Sequence, residues 1–460
     1  MNRHSPLNIA GAGPTGTLLA ILLARRGFTD IHIYESRPDP RAVNAESGRS
    51  INLALADRGI HALKSAGVFA ALSAALLPMR GRGVHLAGGE YSFQPYGQRP
   101  HEVNYSVSRR RLNADLIDIA AGRSGIHFHF EHALESADFT QGTAQVRDLR
   151  GARAITLNMQ PLLATDGAGS VLRRQLSAQR LIHTAETDLE HGYKELSIPA
   201  APGGAFALAS DALHIWPRGN LMLIALPNAD GSFTGTLFLP RQGEVSFESL
   251  QDSRVIEEFL ARQFPDAYPL MPHCVAEFAA HSVGFLGTVS AAPWFHAGQC
   301  ALLGDAAHAM VPFHGQGMNC CFEDCLEFDV CLDRCGSWQQ LFAEFGARRK
   351  ANTDAISEMA LENYLEMRAH VAEPKFQLQQ ALSLELEKRY PRRFIPRYSM
   401  VMFHHEIPYV LALERGRIQS AILNELTAGS AAVLADIDFA RARAAIEALL
   451  TPLDSGRNPA

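Results

Sequence analysis

The sequence has no long hydrophobic run and no excess of basic charge. No stretch of about 18 apolar residues occurs, so no membrane-spanning helix is predicted. Pro6 and Asn8 interrupt the N-terminus where the apolar core of a signal peptide would lie. The 42 lysines and arginines are outnumbered by 48 acidic residues, which gives a net charge of −6. This balance argues against a broad basic surface for nucleic acid or an anionic membrane, and the lack of a long apolar run argues against a membrane anchor.

Cysteine is scarce, with seven residues in 460, and five of them lie between Cys320 and Cys335 on a predicted helix. Helical cysteines without a paired turn or a nearby histidine do not have the spacing of a structural zinc site, so no metal is expected. An odd number of crowded cysteines fits free thiols in a reducing compartment, here the cytoplasm. There is no internal repeat and no low-complexity linker, and the length predicts two or three domains.

The N-terminal segment has the pattern of a nucleotide-binding βαβ unit. Leu7 to Ala10 is an apolar run that ends in GAGPTG, and a helix rich in Leu and Ala follows. A second apolar run ends at Glu35, 24 positions after Gly11. Such a loop brings backbone N–H groups and a helix N-terminus to a pyrophosphate, and the carboxylate accepts hydrogen bonds from ribose hydroxyls. Only one such unit is present, so a second dinucleotide domain for a nicotinamide cofactor is not predicted.

A second glycine-rich segment, GDAAHAMVPFHGQGMN, lies far along the chain. It follows a predicted buried strand (Cys300 to Leu303), places an acid at Asp305 after a glycine, and leads into a helix from about Met318. Asp166-Gly167 is a further strand end with an Asp-Gly turn. Two distant segments of this kind predict one dinucleotide held from both sides.

The middle of the chain has a different residue pattern, with short alternating apolar runs. Three short alternating runs, Leu213 to Trp216, Leu221 to Leu226 and Phe233 to Leu239, predict an antiparallel sheet. Five large side chains fall at positions of this sheet that are predicted to point inward: Tyr193, Trp216, Met222, Phe233 and Phe238. Packing in the core is the plain interpretation for each, and lining an aromatic pocket is a second role that some of them could share.

Two further details of the pattern concern single residues. His127 and His129 alternate with apolar residues and are interpreted as the polar face of a strand. Arg82 lies in an irregular basic segment. The residues of this segment leave two alternatives open for Arg82, solvent exposure or contact with a ligand. The C-terminal part is predicted to be largely helical, with Arg393 to Met400 as an extended interruption.

Together these motifs resemble the single-component FAD-dependent aromatic hydroxylases of the para-hydroxybenzoate hydroxylase type. Within that family, the closest similarity is to the branch that hydroxylates kynurenine. The segments that carry this resemblance are RPDPR (37–41), GRSINLAL (48–55), MRGR (79–82), QPYG (94–97), HGYKEL (191–196), GDAAHAMVPFHGQGMN (304–319), LENY (361–364) and FIPRYSM (394–400).

The pattern and the resemblance predict an α/β fold with a Rossmann-like FAD-binding domain, an inserted antiparallel-sheet substrate domain and a helical C-terminal region. The FAD-binding domain is expected to be discontinuous, over residues 1–72, 101–180 and 290–373. The substrate domain is expected over 73–100 and 181–289, and the helical region over 374–460.

The resemblance also implies the site residues. For FAD it implies Gly11, Gly13 and Gly16 at the pyrophosphate, Glu35 at the ribose, Arg37, Ala54, Arg109 and Leu134 along the cofactor, Asp305 at the ribityl chain or pyrophosphate, and Gly317, Met318 and Asn319 at the flavin ring. For kynurenine it implies Arg82, Tyr96, Asn363 and Tyr398, an assignment that reverses the solvent-exposed interpretation of Arg82. Beside the reacting oxygen it implies Pro312, His314 and Gly315, with His314 as a conceivable proton donor.

The implied reaction uses NADPH and O2, and a flavin C4a-hydroperoxide transfers its oxygen to the ring carbon ortho to the aniline nitrogen of L-kynurenine. Two alternatives stay open: another aromatic hydroxylase or flavin halogenase on the same scaffold, and a flavin-binding sensor without turnover. The halogenase signature WxWxIP is absent, because Trp216, Trp294 and Trp338 stand far apart.

Two departures from the family pattern carry expectations of their own. Thr165 stands where relatives often have a small residue, a change expected to be tolerated. Cys320 and Cys321 replace smaller residues, and this change predicts an exposed thiol near the flavin.

Overall fold

The computed structural model describes residues 1–42, 52–367, 373–429 and 432–453. The strands are β1 (Leu7–Ala10), β2 (Ile31–Glu35), β3 (Asn52–Leu55), β4 (Leu77–Met79), β5 (Gly81–His85), β6 (Tyr91–Pro95), β7 (Asn104–Ser108), β8 (Ile126–Phe130), β9 (His132–Asp138), β10 (Thr143–Asp148), β11 (Arg153–Asn158), β12 (Leu162–Ala164), β13 (His183–Asp188), β14 (His191–Ile198), β15 (Ala212–Arg218), β16 (Leu221–Pro227), β17 (Phe233–Pro240), β18 (Gly287–Ala292), β19 (Phe295–His296) and β20 (Cys300–Leu302). The helices are α1 (Pro14–Arg25), α2 (Asp57–Ser65), α3 (Phe69–Leu72), α4 (Arg109–Ala121), α5 (Val171–Ala178), α6 (Ser253–Gln263), α7 (Cys274–Ala280), α8 (Asp305–His308), α9 (Gly317–Leu332), α10 (Trp338–Leu365), α11 (Pro374–Arg389), α12 (Arg397–Phe403), α13 (Tyr409–Leu426) and α14 (Phe439–Leu449).

The chain divides into two compact units, each assembled from separate segments. Unit 1 comprises Met1–Leu76, Val107–Leu189 and Leu286–Ala360, and unit 2 comprises Leu77–Ser106, Glu190–Phe285 and Leu361–Ala460. In this division the C-terminal helices α11 to α14 group with the strands of unit 2. The domain boundaries drawn from the sequence, with a separate C-terminal region, stay a prediction.

Unit 1 is built on a six-stranded sheet in the order β19-β20-β12-β1-β2-β8. All neighbours in it are parallel except β19, which runs antiparallel to β20. Strands β1, β12 and β20 are buried at every residue, as expected for parallel strands covered on both faces. Helix α1 buries a continuous run from Gly16 to Leu23. The predicted α/β fold with a Rossmann-like sheet is thereby confirmed.

Unit 2 contains a second six-stranded sheet, in the order β14-β17-β16-β15-β5-β6. Its neighbours are antiparallel as predicted, with one exception, since β5 runs parallel to β15. The exception joins chain segments that are more than a hundred residues apart, and the local alternation of a strand carries no information about its partner's direction. One face packs Trp216 and Phe233 against Phe259 of α6 and Phe278 of α7.

The C-terminal helices have their own apolar core, which includes Leu386 of α11, Ile422 of α13 and Ile446 of α14. The prediction of an extended segment from Arg393 to Met400 is wrong in its second half, because α12 begins at Arg397. Pro396 is the N-cap of α12, where proline costs no hydrogen bond. In the described part of the chain, no helix is both long and apolar enough to cross a membrane.

Four histidines cluster on the sheet of unit 1. His32 of β2 and His127 of β8 are register partners, and their rings lie 5.1 Å apart. His129 stacks on Tyr34 at 4.7 Å, and its Nε2 lies 2.9 Å from Nδ1 of His32. His127 is exposed and His129 half-buried, so the polar-face interpretation holds for the first and is too simple for the second.

This cluster makes the stability of unit 1 depend on pH. Burial, followed by the charges of His32, His132 and His127, lowers the pKa of His129 to about 4. Between pH 6.5 and 4 the unfolded chain therefore binds more protons at this position than the folded chain, and stability falls as the pH falls. We expect His129→Phe, which keeps a ring on Tyr34, to flatten the pH dependence of urea midpoints across this window. His183→Phe, at an exposed position on β13 outside the cluster, is the control and should leave the slope unchanged. Equal slopes for wild type and His129→Phe would contradict the prediction.

Candidate cofactor and substrate sites

The glycine loop after β1 contains two positions that exclude any side chain. Gly11 has a φ of +103°, and a Cβ there would lie 2.5 Å from the carbonyl oxygen of Thr165. A Cβ on Gly16 would lie 2.1 Å from the carbonyl oxygen of Gly11. Gly13 is different, because nothing lies within 4 Å of its Cβ position. Gly11 and Gly16 thus close the turn, and Gly13 leaves open space beside it.

That open space lies at the N-terminus of α1. Gly13 is the N-cap of the helix, no side chain caps it, and Pro14 supplies the first helical residue. The first N–H groups of a helix have no partner within the helix and carry its positive dipole end. An unfilled approach to uncapped N–H groups is a fit for a pyrophosphate.

Glu35 ends β2 directly beside this loop. Its Oε2 accepts a hydrogen bond from the Ala12 amide at 3.0 Å, and its Oε1 accepts from the amide and Nε of Arg37. Burial acts to raise the pKa of Glu35, but the hydrogen bonds and charge of Arg37 outweigh it, so the pKa lies below its ordinary value. The carboxylate is therefore ionised and retains lone pairs that suit ribose hydroxyls. The Arg37 side chain itself is 68% exposed.

Thr165 contributes to the loop rather than merely being tolerated. Its Oγ1 donates toward the carbonyl oxygens of Ala10 and Gly11, at 2.9 and 3.0 Å. The hydroxyl thereby ties the end of β12 to the end of β1. A smaller residue at this position would leave those two carbonyl groups without that donor.

The remaining predicted FAD residues of this part are placed as follows. Leu134 packs in a small apolar cluster with Tyr34, Val146 and Leu157. Arg109 is exposed and begins α4. Arg109, Arg110 and Arg111 all lie in the first turn of this helix, where positive charge opposes the dipole. A bound anion would offset that cost.

The second glycine-rich segment is held by an ion network in unit 1. Gly304, with φ +60°, donates its amide to Oδ2 of Asp324 at 3.2 Å, and Asp305 follows as the first residue of α8. Asp324 also contacts Nε2 of His308 at 2.5 Å and Nε of Arg349 at 2.7 Å. Burial acts to raise the pKa of Asp324, but the charges of His308 and Arg349 outweigh it and keep the pKa low. The position of Asp305 thus depends on a fully buried carboxylate of α9.

The network extends further along the same helices. Glu323 pairs with Arg349 and with Arg58 of α2, each at 2.8 Å. Both arginines are almost fully buried. The acids of this network did not stand out in the sequence, because neither belongs to a recognisable motif.

The loop from Pro312 to Gly317 is fixed by Asn319. The Asn319 side chain donates to the carbonyl oxygens of Ala54 and Gly315, both at 2.8 Å, and accepts from the Ala56 amide at 2.8 Å. Gly315 is left-handed, with a φ of +66°. Asn319 therefore joins Ala54 to the loop through its side chain and leaves its backbone amide to the first turn of α9.

This arrangement places most of the predicted flavin-contacting positions together. Gly317, Met318 and Asn319 form the first turn of α9, which no side chain caps. Pro312 and His314 form a short 3-10 turn immediately before it, and His314 is buried. Uncapped N–H groups at a helix N-terminus suit an electron-rich or anionic ring.

The expectation of an exposed thiol at Cys320 and Cys321 is wrong. Both side chains are buried, with 0% and 3% exposure. Burial raises the pKa of each thiol well above its ordinary value, so the reactive thiolate is suppressed. Both lie on α9, and Cys321 packs directly against the glycine turn, because a Cβ added to Gly304 would lie 3.1 Å from its Sγ. All seven cysteines are free, as predicted.

In unit 2, Arg82 lies in an aromatic cluster. Its Cζ is 5.0 Å from the ring centre of Tyr398 and 5.9 Å from that of Tyr96, and the two rings stack at 5.4 Å. Arg82 is 8% exposed and Tyr96 6%. Within the described ranges Arg82 forms no ion pair, and its Nε is buried without an acceptor. A buried guanidinium of this kind is suited to a carboxylate ligand.

The electrostatics of the cluster favour an anion. Burial acts to lower the pKa of Arg82, but the interactions with Tyr398, Tyr96 and Glu366 outweigh it, and the pKa is raised. Burial also raises the pKa of both tyrosines, so both hydroxyls stay neutral. The cluster therefore combines one permanent cation with two neutral hydroxyls, which hydrogen-bond to each other and to the guanidinium.

The strand register shows which residues share a sheet face with Arg82. Arg82 is opposite Leu213 of β15, whereas its neighbour Gly83 is opposite His214. Because successive side chains alternate, the face of Arg82 also carries Met222, Phe238 and Tyr193, which are mutual partners across β16, β17 and β14. Trp216 and Phe233 point to the opposite face and belong to the core.

Asn363, the fourth predicted substrate residue, lies on α10, and its Nδ2 contacts Sδ of Met367 at 3.3 Å. Sequence reasoning missed Asn104, whose Nδ2 donates to the hydroxyl of Tyr398 at 3.3 Å. Its only sequence signal is a polar residue at a buried position of a short strand.

Gly13 provides a test of the FAD site that does not depend on catalytic turnover. We expect Gly13→Ala to fold normally but to bind FAD at least tenfold more weakly, because a methyl group would occupy the open approach to α1. The measurement is FAD affinity and the 450 nm to 280 nm absorbance ratio. Gly88→Ala is the control, since its Cβ position is equally free in a surface turn. Wild-type affinity in Gly13→Ala would contradict the assignment.

Comparisons with known proteins agree with this geometry. Residues 5–329 match the FAD binding domain family. The chain is 47% identical over 448 residues to the kynurenine 3-monooxygenase of Stenotrophomonas maltophilia (strain K279a), covering 97% of this chain and 98% of that protein. It is 44% identical over 450 residues to the kynurenine 3-monooxygenase of Myxococcus xanthus (strain DK1622), covering 98% and 96%.

Among solved structures, the tetrameric form of 2-methyl-3-hydroxypyridine-5-carboxylic acid oxygenase superposes with a TM-score of 0.64 at 17% identity. The match covers 84% of this chain and 98% of that one, a likeness that shows the fold alone. The near-complete coverage and the sequence identity to the two bacterial relatives show more than the fold. The chain belongs to the kynurenine 3-monooxygenase family of FAD-dependent hydroxylases.

Proposed function

We propose that this chain hydroxylates the aromatic ring of L-kynurenine to give 3-hydroxykynurenine, consuming NADPH and O2 and releasing NADP⁺ and water. The observation that carries the proposal is Arg82, a buried guanidinium whose Nε has no acceptor among the described residues and which packs against the rings of Tyr96 and Tyr398. A free amino acid presents the carboxylate that such a group binds. The bacterial relatives that match nearly the whole chain carry the corresponding name.

FAD, when bound, would supply the activated oxygen, and the protein's own residues bind the substrate and position it. Arg82 and the hydroxyls of Tyr96 and Tyr398 hold the carboxylate, with Asn363 proposed as a further contact. Tyr193, Met222 and Phe238, on the same sheet face as Arg82, are proposed to contact the substrate's apolar part. The aniline nitrogen of kynurenine donates electron density to its own ring, so attack at the neighbouring carbon requires no strong protein base.

The loop of Pro312, His314 and Gly315 is proposed to lie beside the reacting oxygen and to exclude water there. Exclusion matters because water and misalignment divert the reaction to hydrogen peroxide. The left-handed Gly315 and the Asn319 side chain hold this loop in one conformation. The proposed compartment is the cytoplasm, since all seven cysteines are free thiols.

The test is NADPH oxidation by the purified yellow protein with and without L-kynurenine, with 3-hydroxykynurenine and hydrogen peroxide both quantified. We expect strong stimulation and one product molecule for each NADPH consumed. Stimulation that yields only peroxide would mean that kynurenine binds without being the substrate. A rate that does not respond to kynurenine would overturn the proposed substrate and leave a flavoprotein.

A further inference from the structure

A buried oxygen atom beside the Arg82 cluster has no hydrogen-bond partner. Asn104 is 1% exposed and lies on β7, opposite Met79 of β4. Its Nδ2 donates to the Tyr398 hydroxyl at 3.3 Å, whereas its Oδ1 accepts no hydrogen bond from the residues described. A buried polar atom without a partner is costly in a folded protein and is rarely retained without a reason.

The same cluster contains an unpaired donor. Nε of Arg82 is buried without an acceptor, and the Arg82 guanidinium packs on the Tyr398 ring whose hydroxyl contacts Asn104. One unpaired donor and one unpaired acceptor therefore both belong to residues that contact Tyr398. A ligand that satisfies both must carry an acceptor for Arg82 and a donor for Asn104, and the charge of Arg82 favours an anionic acceptor.

An α-amino acid zwitterion has these properties. Its carboxylate accepts from Arg82, and its α-ammonium group, two bonds from the carboxyl carbon, has three donors for a nearby oxygen. We propose that Oδ1 of Asn104 accepts a hydrogen bond from the α-ammonium group of the substrate and thereby selects amino acids over the corresponding deaminated acids. This inference rests on the proposed function, because it takes L-kynurenine as the ligand.

The roles of neighbouring residues differ under this proposal. Tyr398 and Arg82 act on the carboxylate, which every acid analogue possesses. Asn104 acts on a group that only the amino acid possesses. An Asn104 that merely supported the Tyr398 hydroxyl, or whose amide were turned the other way, would act on the carboxylate and show no preference.

The experiment compares two ligands by isothermal titration calorimetry on the FAD-loaded protein without NADPH. The ligands are L-kynurenine and 4-(2-aminophenyl)-4-oxobutanoate, which keeps the ring, the ketone and the carboxylate but lacks the α-amino group. We expect the wild type to bind L-kynurenine at least about tenfold more tightly, the range of one hydrogen bond to a charged group. Asn104→Leu should bring the two affinities within about threefold by weakening L-kynurenine alone.

Two further variants make the result specific. Asn104→Asp keeps an acceptor oxygen and should retain the preference for the amino acid. Tyr398→Phe should weaken both ligands by the same factor. If Asn104→Leu loses FAD, Asn104→Ala provides the same comparison with a smaller side chain.

The outcomes separate the two levels of the proposal. Equal weakening of both ligands in Asn104→Leu overturns the role of Asn104 and leaves the proposed function intact. A wild type that binds neither ligand overturns the proposed substrate and the inference with it. Loss of the preference in Asn104→Leu, together with its retention in Asn104→Asp, establishes the ammonium contact.

Discussion

Arg82→Met is expected to raise the KM for L-kynurenine by about 100-fold or more. Charge-assisted hydrogen bonds to a carboxylate each contribute about 1.5 to 3 kcal/mol, and methionine can make none. Burial opposes the charge of Arg82, but Tyr398, Tyr96 and Glu366 outweigh it, so the folded protein favours the charged guanidinium. Removing it should therefore also lower the unfolding temperature, and KM is the measurement that tests the carboxylate role.

Arg99→Met is the matched control for this prediction. Arg99 also lies in unit 2, but it pairs with Glu102 and, at 3.1 Å, with Glu387, and both acids are buried. Its removal leaves buried carboxylates without their cation, so the unfolding temperature should fall. Arg82→Lys should lie between wild type and Arg82→Met, because lysine keeps the charge and loses the planar fork. An unchanged KM in Arg82→Met would remove the carboxylate role.

Asp324→Asn is expected to destabilise the protein by about 3 to 5 kcal/mol, the cost of breaking a buried ion pair by removing one partner. The carboxylate of Asp324 is fully buried and serves His308, Arg349 and the Gly304 amide together. An amide in its place leaves Arg349 with one acid fewer and turns one hydrogen-bond acceptor into a donor. The Gly304–Asp305 turn should lose its position as well, so FAD affinity should fall.

The control is Asp333→Asn at the C-terminal end of the same helix. Asp333 pairs with Arg26, but its side chain is 62% exposed, and an exposed pair contributes about 0 to 1 kcal/mol. Urea denaturation of the FAD-free proteins measures the stability difference, and FAD titration measures the effect on the turn. Equal destabilisation by the two substitutions would mean that burial of the network is not what makes Asp324 important.

The cofactor end of the protein could be predicted closely from the sequence. Gly11 has a φ of +103°, and a Cβ on Gly16 would lie 2.1 Å from the carbonyl oxygen of Gly11, so the turn itself requires both glycines; Glu35 follows at the end of the next strand. These constraints are local, so the residue types and their spacing carry them. The second glycine-rich segment could be predicted for the same reason, although the carboxylate that anchors it could not.

The substrate end could be predicted only in part. A resemblance pointed to Arg82, Tyr96 and Tyr398, but the residues around Arg82 left its burial undecided. Trp216 and Met222 both fit an inward period, and only the pairing of Pro217 with Met222 shows that the two side chains point to opposite faces. Asn104 gave no signal, because a single polar residue in a strand does not reveal what it contacts.

By itself, the sequence determined the βαβ unit, the two glycine turns, the strand and helix content, and the absence of metal-ligand spacing among the cysteines. These features depend on periodicity, on glycine conformations and on distances of a few residues. The tertiary structure decided the parallel pairing of β5 with β15, the burial of Cys320 and Cys321, the network around Asp324 and the unpaired atoms of Arg82 and Asn104. Each of these joins residues that are distant in the chain or depends on strand register, and neither long-range contact nor register is encoded in a local pattern.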